Sequence, residues 1–337
     1  MSGQAIFIII IAVGLAFLVY HVVRNILLPK QITTDYRSKA KILQAIKSAK
    51  AAVERDPKNA EAHFYLGRAF LADKREEQAL REYRSASRLG IIGKNIPETE
   101  FRETIAYLYS KFYEPDEALR EYILLIKKHP ENPEYYFQAG KIFPGRNRPD
   151  LAEQYLRKAA SLNPTDERFH FELGMHYFHS KKSREAAKSF SAVLKINPSN
   201  GDSLFYIGKI LRSAKDYTGA ISYLEKAARE QDNKLRALVE MGGCYMSLRM
   251  FDKAIVELER AVNVIDKEGE GESLYARYFL AMCYEKTREF AKAVAQWEKI
   301  YAQKKSFRDV GEKLIEYAEY KQEQADKETS AKADTKA

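Results

Sequence analysis

The sequence predicts an all-α chain: a solenoid of antiparallel helix pairs preceded by one N-terminal transmembrane helix. Three observations predict it. A small residue behind a large apolar one returns along most of the chain, mostly at 34-residue intervals. An alanine follows each small residue by twelve positions, and a large apolar residue follows by sixteen. The chain also opens with nineteen residues, Ala5 to Val23, that carry no formal charge at neutral pH.

Residues 1–4 form a short N-terminus, and 5–28 the anchor helix. At about 1.5 Å per residue the uncharged run spans roughly 28 Å, close to the hydrocarbon thickness of a bilayer. Tyr20 and His21 lie near its end, where amphipathic rings suit the headgroup layer, and Pro29 stops the helix. A cleaved signal peptide would need a positive region before the run and small residues at a cleavage site. Neither is present, which favours an uncleaved anchor. Arg24, Lys30, Arg37, Lys39 and Lys41 follow the run against a lone Asp35. The positive-inside rule therefore places the body of the protein in the cytoplasm, with the anchor in the inner membrane if the source is bacterial; a periplasmic body is the alternative.

Residues 29–59 read as a linker and an N-terminal capping helix, with Ala45, Ala49, Ala52 and Pro57 spaced like the second half of a repeat. The solenoid proper covers 60–301. Its small residues are Gly67, Ala106, Gly140, Gly174, Gly208, Gly242 and Ala281. The alanines are Ala79, Ala118, Ala152, Ala186, Ala220, Ala254 and Ala293, followed by Tyr83, Tyr122, Leu156, Phe190, Leu224, Leu258 and Trp297. Small residues let two helices approach, and the large ones fill the space between neighbouring units. Pro130, Pro164 and Pro198 end second helices, with Asp232 and Asp266 in that place later. One such pair cannot bury both faces, so it stacks on the next. Residues 302–325, with Val310, Leu314 and Tyr317, read as a C-terminal capping helix; 326–337 is polar and is expected to be disordered.

Across seven units this pattern resembles the tetratricopeptide-repeat family, W-x2-L-G-x2-Y…A-x3-F…P. The resemblance implies a right-handed superhelix. It departs from the family at the Trp place, held by His63, Arg102, Tyr136, His170, Leu204, Leu238 and Arg277, and at two widened spacings, 90–98 and 267–273, expected as surface loops. It also implies a concave groove lined by the second, fifth, ninth and twelfth places of each repeat. Those places give Phe64, Arg68, Phe137, Lys141, Phe171, Met175, Phe205, Lys209, Arg212 and Tyr278 as candidate protein-binding residues. An aromatic ladder edged by cations would suit an apolar helix or extended peptide with acidic character. The alternative is that the fifth-place aromatics only pack. A chaperone-tail carboxylate clamp needs Asn at the ninth place, and none stands there.

The 56 Lys and Arg exceed the 47 Asp and Glu by nine, but they are interspersed, with no basic stripe or motif. Nucleic acid is therefore not an expected partner. Cys244 and Cys283 fall inside helices of two different repeats and read as small buried hydrophobes. His176 and His179, with Glu172, could hold a metal by spacing alone, yet His170 and His176 occupy packing places in the repeat. No Walker loop, G-x-S-x-G, C-x-x-C or H-E-x-x-H is present, so neither catalysis nor a cofactor is expected. The expected function is a membrane-anchored scaffold that binds protein partners in its groove and helps build a larger assembly, an envelope machine such as a flagellar or pilus apparatus among the candidates. The alternative is a targeting receptor or co-chaperone for transient client segments.

Overall fold

The computed structural model describes residues 36–90, 95–146, 148–264 and 271–319. The anchor at 5–28 and the tail at 326–337 lie outside the described residues. Among the described residues no helix is long and apolar enough to cross a membrane. The chain is all-α and divides into two compact units, Met1–Arg148 and Pro149–Ala337.

The first unit holds α1 (Lys39–Arg55), α2 (Ala60–Ala72), α3 (Glu76–Leu89), α4 (Glu98–Lys111), α5 (Pro115–Lys128) and α6 (Pro133–Ile142), which runs into a 3-10 turn at Phe143–Arg146. Side chains cap several starts: Ser38 Oγ accepts from the Lys41 amide at 3.3 Å, and Asn59 from that of Ala62 at 3.0 Å. Each satisfies one of the orphan N–H groups of a first turn. Pro115 and Pro133 open their helices, where a missing N–H costs nothing. α1 packs on α2 through Ala45 and Ala49, both fully buried.

The second unit holds α7 (Pro149–Leu162), α8 (Glu167–His179), α9 (Ser183–Ile196), α10 (Gly201–Ser213), α11 (Tyr217–Ala227), α12 (Gln231–Ser247), α13 (Phe251–Val264), α14 (Gly271–Lys286), α15 (Phe290–Gln303) and α16, residues 310–319. Antiparallel partners pack as α8 on α9, α10 on α11, α12 on α13 and α14 on α15. The large residue sixteen after the small one has a more local job than filling the gap between units. It sits on the glycine of its own pair. A Cβ on Gly208 would stand 2.7 Å from Leu224 Cγ, and one on Gly174 would stand 2.7 Å from the Phe190 ring. Tyr83 covers Gly67 and Leu258 covers Gly242 in the same way.

Polar residues at the Trp place are compensated nineteen residues later. His63 Nδ1 lies 2.6 Å from Glu82, Arg102 Nη1 lies 2.6 Å from Glu121, and Arg277 Nη1 lies 3.2 Å from Gln296. This explains how the atypical second and seventh units keep the fold: a polar group in the helix-pair interior is tolerated when its partner is supplied. His63 and His170 also reach back through Nε2 to the carbonyls of Pro57 and Pro164, at 3.1 and 3.0 Å.

The turn joining first to second helix follows one rule. Lys74, Tyr113, Lys181, Lys215, Arg249 and Arg288 all take left-handed backbone, with φ of 61, 60, 58, 64, 57 and 63°. The next amide in each case bonds back to a carbonyl five residues earlier, as from Asp216 to Leu211 and Met250 to Tyr245, both at 2.9 Å. This closes the first helix as a Schellman motif, a place where glycine is usual. Lys, Arg and Tyr hide it from the sequence.

Three expectations need correction. Asp232 does not end a second helix. α11 stops at Ala227, and Asp232 lies in the first turn of α12, where a carboxylate complements the helix dipole. Residues 271–273 belong to α14 rather than to the loop expected at 267–273. The C-terminal cap does not start at 302: α15 runs to Gln303, and helix resumes at 310. Phe307 folds in between to join the cluster of Trp297, Ile300 and Val310, with Leu314 and Tyr317 packed against it.

Candidate functional site

A hollow of about 390 Å³ opens on the first helices of three successive repeats in the second unit. α10 supplies Phe205, Lys209 and Arg212 to it; α12 supplies Arg236, Val239 and Glu240; α14 supplies Tyr275 and Phe279. Helical spacing explains the grouping, since residues three and four apart share a face.

Phe205 forms the floor and is only 3% exposed. The Arg236 guanidinium lies 4.1 Å from its ring centroid, and Lys209 Nζ lies at 5.5 Å. Glu240 answers the cations: it accepts from Arg212 Nη1 and lies 3.7 Å from Lys209 Nζ. Arg236 has Asp202 at 3.6 Å. Three cations against two carboxylates leave the rim with one net positive charge. Gly243 makes the Arg212 arrangement possible, because a Cβ there would stand 2.7 Å from Arg212 Nη2. The hollow therefore offers apolar floor, aromatic walls at Tyr275 and Phe279, and guanidinium groups held in fixed ion pairs. It can take an extended or helical segment that places apolar side chains on the floor and acidic groups at the rim.

Of the ten candidates, Phe205, Lys209 and Arg212 come together here. Phe64, Phe137 and Tyr278 are buried as Phe205 is, at 0, 6 and 8% exposure. Phe64 packs against Tyr83 and Phe101 with centroids 5.9 and 6.1 Å apart, and the Tyr278 hydroxyl donates to Asp309 at 2.8 Å. Arg68 lies over Phe64 and pairs with Glu100 at 3.3 Å, while exposed Lys141 lies 5.2 Å above Phe137. Phe171 and Met175 are half-buried, and Phe171 packs on Phe190 and Tyr206 at 5.7 and 6.3 Å. Arg236 and Tyr275 occupy second places, which the family pattern already marks as groove-facing. Glu240 and Phe279 occupy sixth places, for which the sequence carried no signal.

His176 is half-buried and His179 exposed; burial holds the His176 pKa below the ordinary value, with Lys182 and His179 adding to the effect against Glu153. Cys244 and Cys283 are free and buried, and desolvation pushes their thiols up to about 11 and about 12.

Tetratricopeptide-repeat models match residues 34–90, 104–167, 140–200 and 171–235, and a second such model matches 211–278. The chain is a tetratricopeptide-repeat protein. Proteins of this family are protein-binding scaffolds and are typically non-enzymatic. Anaphase-promoting complex subunit 3 of Schizosaccharomyces pombe is 28% identical over 127 residues, 38% of this chain and 19% of the relative. The BBSome complex member BBS4 homolog of Drosophila melanogaster is 24% identical over 249 residues, 72% of this chain and 49% of the relative. The chain thus spans half or less of the length of these curated relatives. Among solved structures, the tetratricopeptide protein YrrB, described as having an unusual peptide-binding site, is 22% identical with a TM-score of 0.47, covering 58% of this chain and 97% of that one. PilF of Pseudomonas aeruginosa is 20% identical with a TM-score of 0.48, covering 65% and 96%.

Proposed function

We propose that this tetratricopeptide-repeat protein is a membrane-anchored scaffold that captures a protein partner in the hollow of α10, α12 and α14 and holds it within a larger assembly. The reading is carried by the cation-edged aromatic floor, in which Arg236 and Lys209 lie over Phe205 while Glu240 and Gly243 fix Arg212. Membership of the two curated relatives in multi-subunit complexes supports the assembly part. The apolar run at 5–28 supports the anchor, and the cations that follow it support a cytoplasmic body.

A photocrosslinking residue at Val239, followed by purification from native membranes, tests the capture. One partner in stoichiometric yield, lost in Phe205→Ala with Arg236→Ala, is the expected result. Undiminished crosslinking in that double variant refutes the hollow as the binding surface, and many substoichiometric segments would instead indicate a receptor for transient clients. Fusions after residue 60 test the topology: activity of an exported phosphatase would place the body across the membrane.

A further inference from the structure

The second unit carries a row of cations that the hollow does not use. Lys181, Lys215, Arg249 and Arg288 occupy the same left-handed position in the first-to-second-helix turns of the four described repeats from α8 to α15. All four are exposed, and among the described residues none of their side chains has an ion-pair or ring partner. Lys182, by contrast, pairs with Glu153 at 2.7 Å, and Lys209 and Arg212 share the Glu240 carboxylate.

Their placement is not explained by the helix end alone. A cation near a helix C-terminus is favoured by the dipole. Two of the four helices meet that need without left-handed backbone, through Arg212 in the last turn of α10 and Lys286 in that of α14, whereas α12 has no base in its last turn. At the left-handed site itself glycine is the unstrained residue, followed by asparagine. Lys or Arg stands there four times instead. At one tip the cation is flanked by apolar side chains, Leu248 at 36% and Met250 at 43% exposure on either side of Arg249. Of the turns at the opposite ends of these helices, 163–166 and 197–200 contain one acid and no base, while 228–230 carries Arg229 beside Glu230.

Because antiparallel pairs put all first-to-second turns at one end of the stack, the four cations share one edge. Unpaired cations with protruding Leu and Met match a headgroup layer, in which anionic groups meet the charges and short apolar side chains enter the acyl boundary. A nucleic-acid backbone would use the cations but leave Leu248 and Met250 without a role. We propose that this edge docks the second unit onto a bilayer surface that contains anionic lipid. The inference rests neither on the anchor at 5–28 nor on partner capture in the hollow.

The test uses the full chain in vesicles of phosphatidylcholine, with or without phosphatidylglycerol. Ser180→Cys places a nitroxide on the proposed edge and Ser199→Cys on the opposite one; the native cysteines are buried and stay unlabelled. A headgroup-anchored nickel chelate then reports proximity. The expected result is relaxation of the label at 180 only in anionic vesicles, reversed by added salt, with the label at 199 unaffected. Changing Lys181, Lys215, Arg249 and Arg288 together to Asn keeps a residue that tolerates the backbone, and each removed cation should weaken docking roughly fivefold. Leu248→Ser with Met250→Ser should weaken it further while leaving the salt response. Unchanged docking of the four-Asn chain with helicity intact overturns the proposal. So does equal relaxation at 180 and 199, or a label at 180 that ignores lipid charge. Tight duplex DNA binding through the same cations without any lipid preference would also overturn it.

Discussion

Gly242 and Gly243 are neighbours in α12, yet an added methyl should act on them in opposite directions. In a helix interior, alanine is favoured over glycine by about 1 kcal/mol at either position. At Gly242 the new Cβ would stand 2.5 and 2.6 Å from Cγ and Cδ2 of Leu258, whose side chain is fully buried and has nowhere to retreat. Overpacking of that kind costs about 1–3 kcal/mol, so Gly242→Ala should destabilise by roughly 0–2 kcal/mol net. At Gly243 the methyl would meet Nη2 and Cζ of Arg212 at 2.7 and 2.9 Å. This is the far end of a flexible side chain about one-third exposed, free to swing away from Glu240. A partly exposed ion pair is worth roughly 0.2–1 kcal/mol, so Gly243→Ala should leave stability unchanged or raise it by up to about 1 kcal/mol. Urea denaturation followed by circular dichroism, with hydrogen exchange in α12 and α13, measures both. Gly242→Ala should lower the midpoint and loosen α13; Gly243→Ala should do neither, but should alter partner capture by freeing Arg212. Equal destabilisation by the two substitutions would refute the assigned contacts.

Four further outcomes are expected. In capture assays Phe205→Ala should cost about 2 kcal/mol or more of affinity, roughly thirtyfold, whereas Lys141→Ala should change it little, and comparable losses would argue against the hollow. Ala220→Leu should destabilise by about 1–3 kcal/mol, because Ala220 is fully buried and its carbonyl oxygen lies 3.4 Å from where a Cβ on Gly208 would be; an unchanged melting curve would refute that packing. Cys244 and Cys283 should resist iodoacetamide at mildly alkaline pH until the chain unfolds, since burial raises both thiol pKa values; mass spectrometry of native protein reads this directly. His176 titrates lower in the folded state than in the unfolded chain, so its contribution is present above about pH 6.5 and is lost as pH falls further. His176→Gln should therefore flatten the acid side of the stability profile, and an identical profile would show that burial there does not matter.

Helix pairs, their order and the glycine of each close contact are legible in the sequence because they depend on regular spacing and side-chain volume. The small residues at 174, 208 and 242 recur every 34 positions, and the large residue sixteen later always lands on them. Other features depend on which residues from different helices face one another. Phe64, Phe137, Phe205 and Tyr278 have the spacing of a binding ladder and are all buried, and periodicity does not show which of them opens on a hollow. Glu240 lies 28 residues from Arg212 and 31 from Lys209, with no shared register to announce the pairing. Left-handed turns at Lys181, Lys215, Arg249 and Arg288 lacked the glycine that would have marked them. Local periodicity thus determined the scaffold. Only tertiary packing decided which cations are neutralised by a neighbour and which face solvent, because a charge interaction follows distance in space rather than separation in sequence.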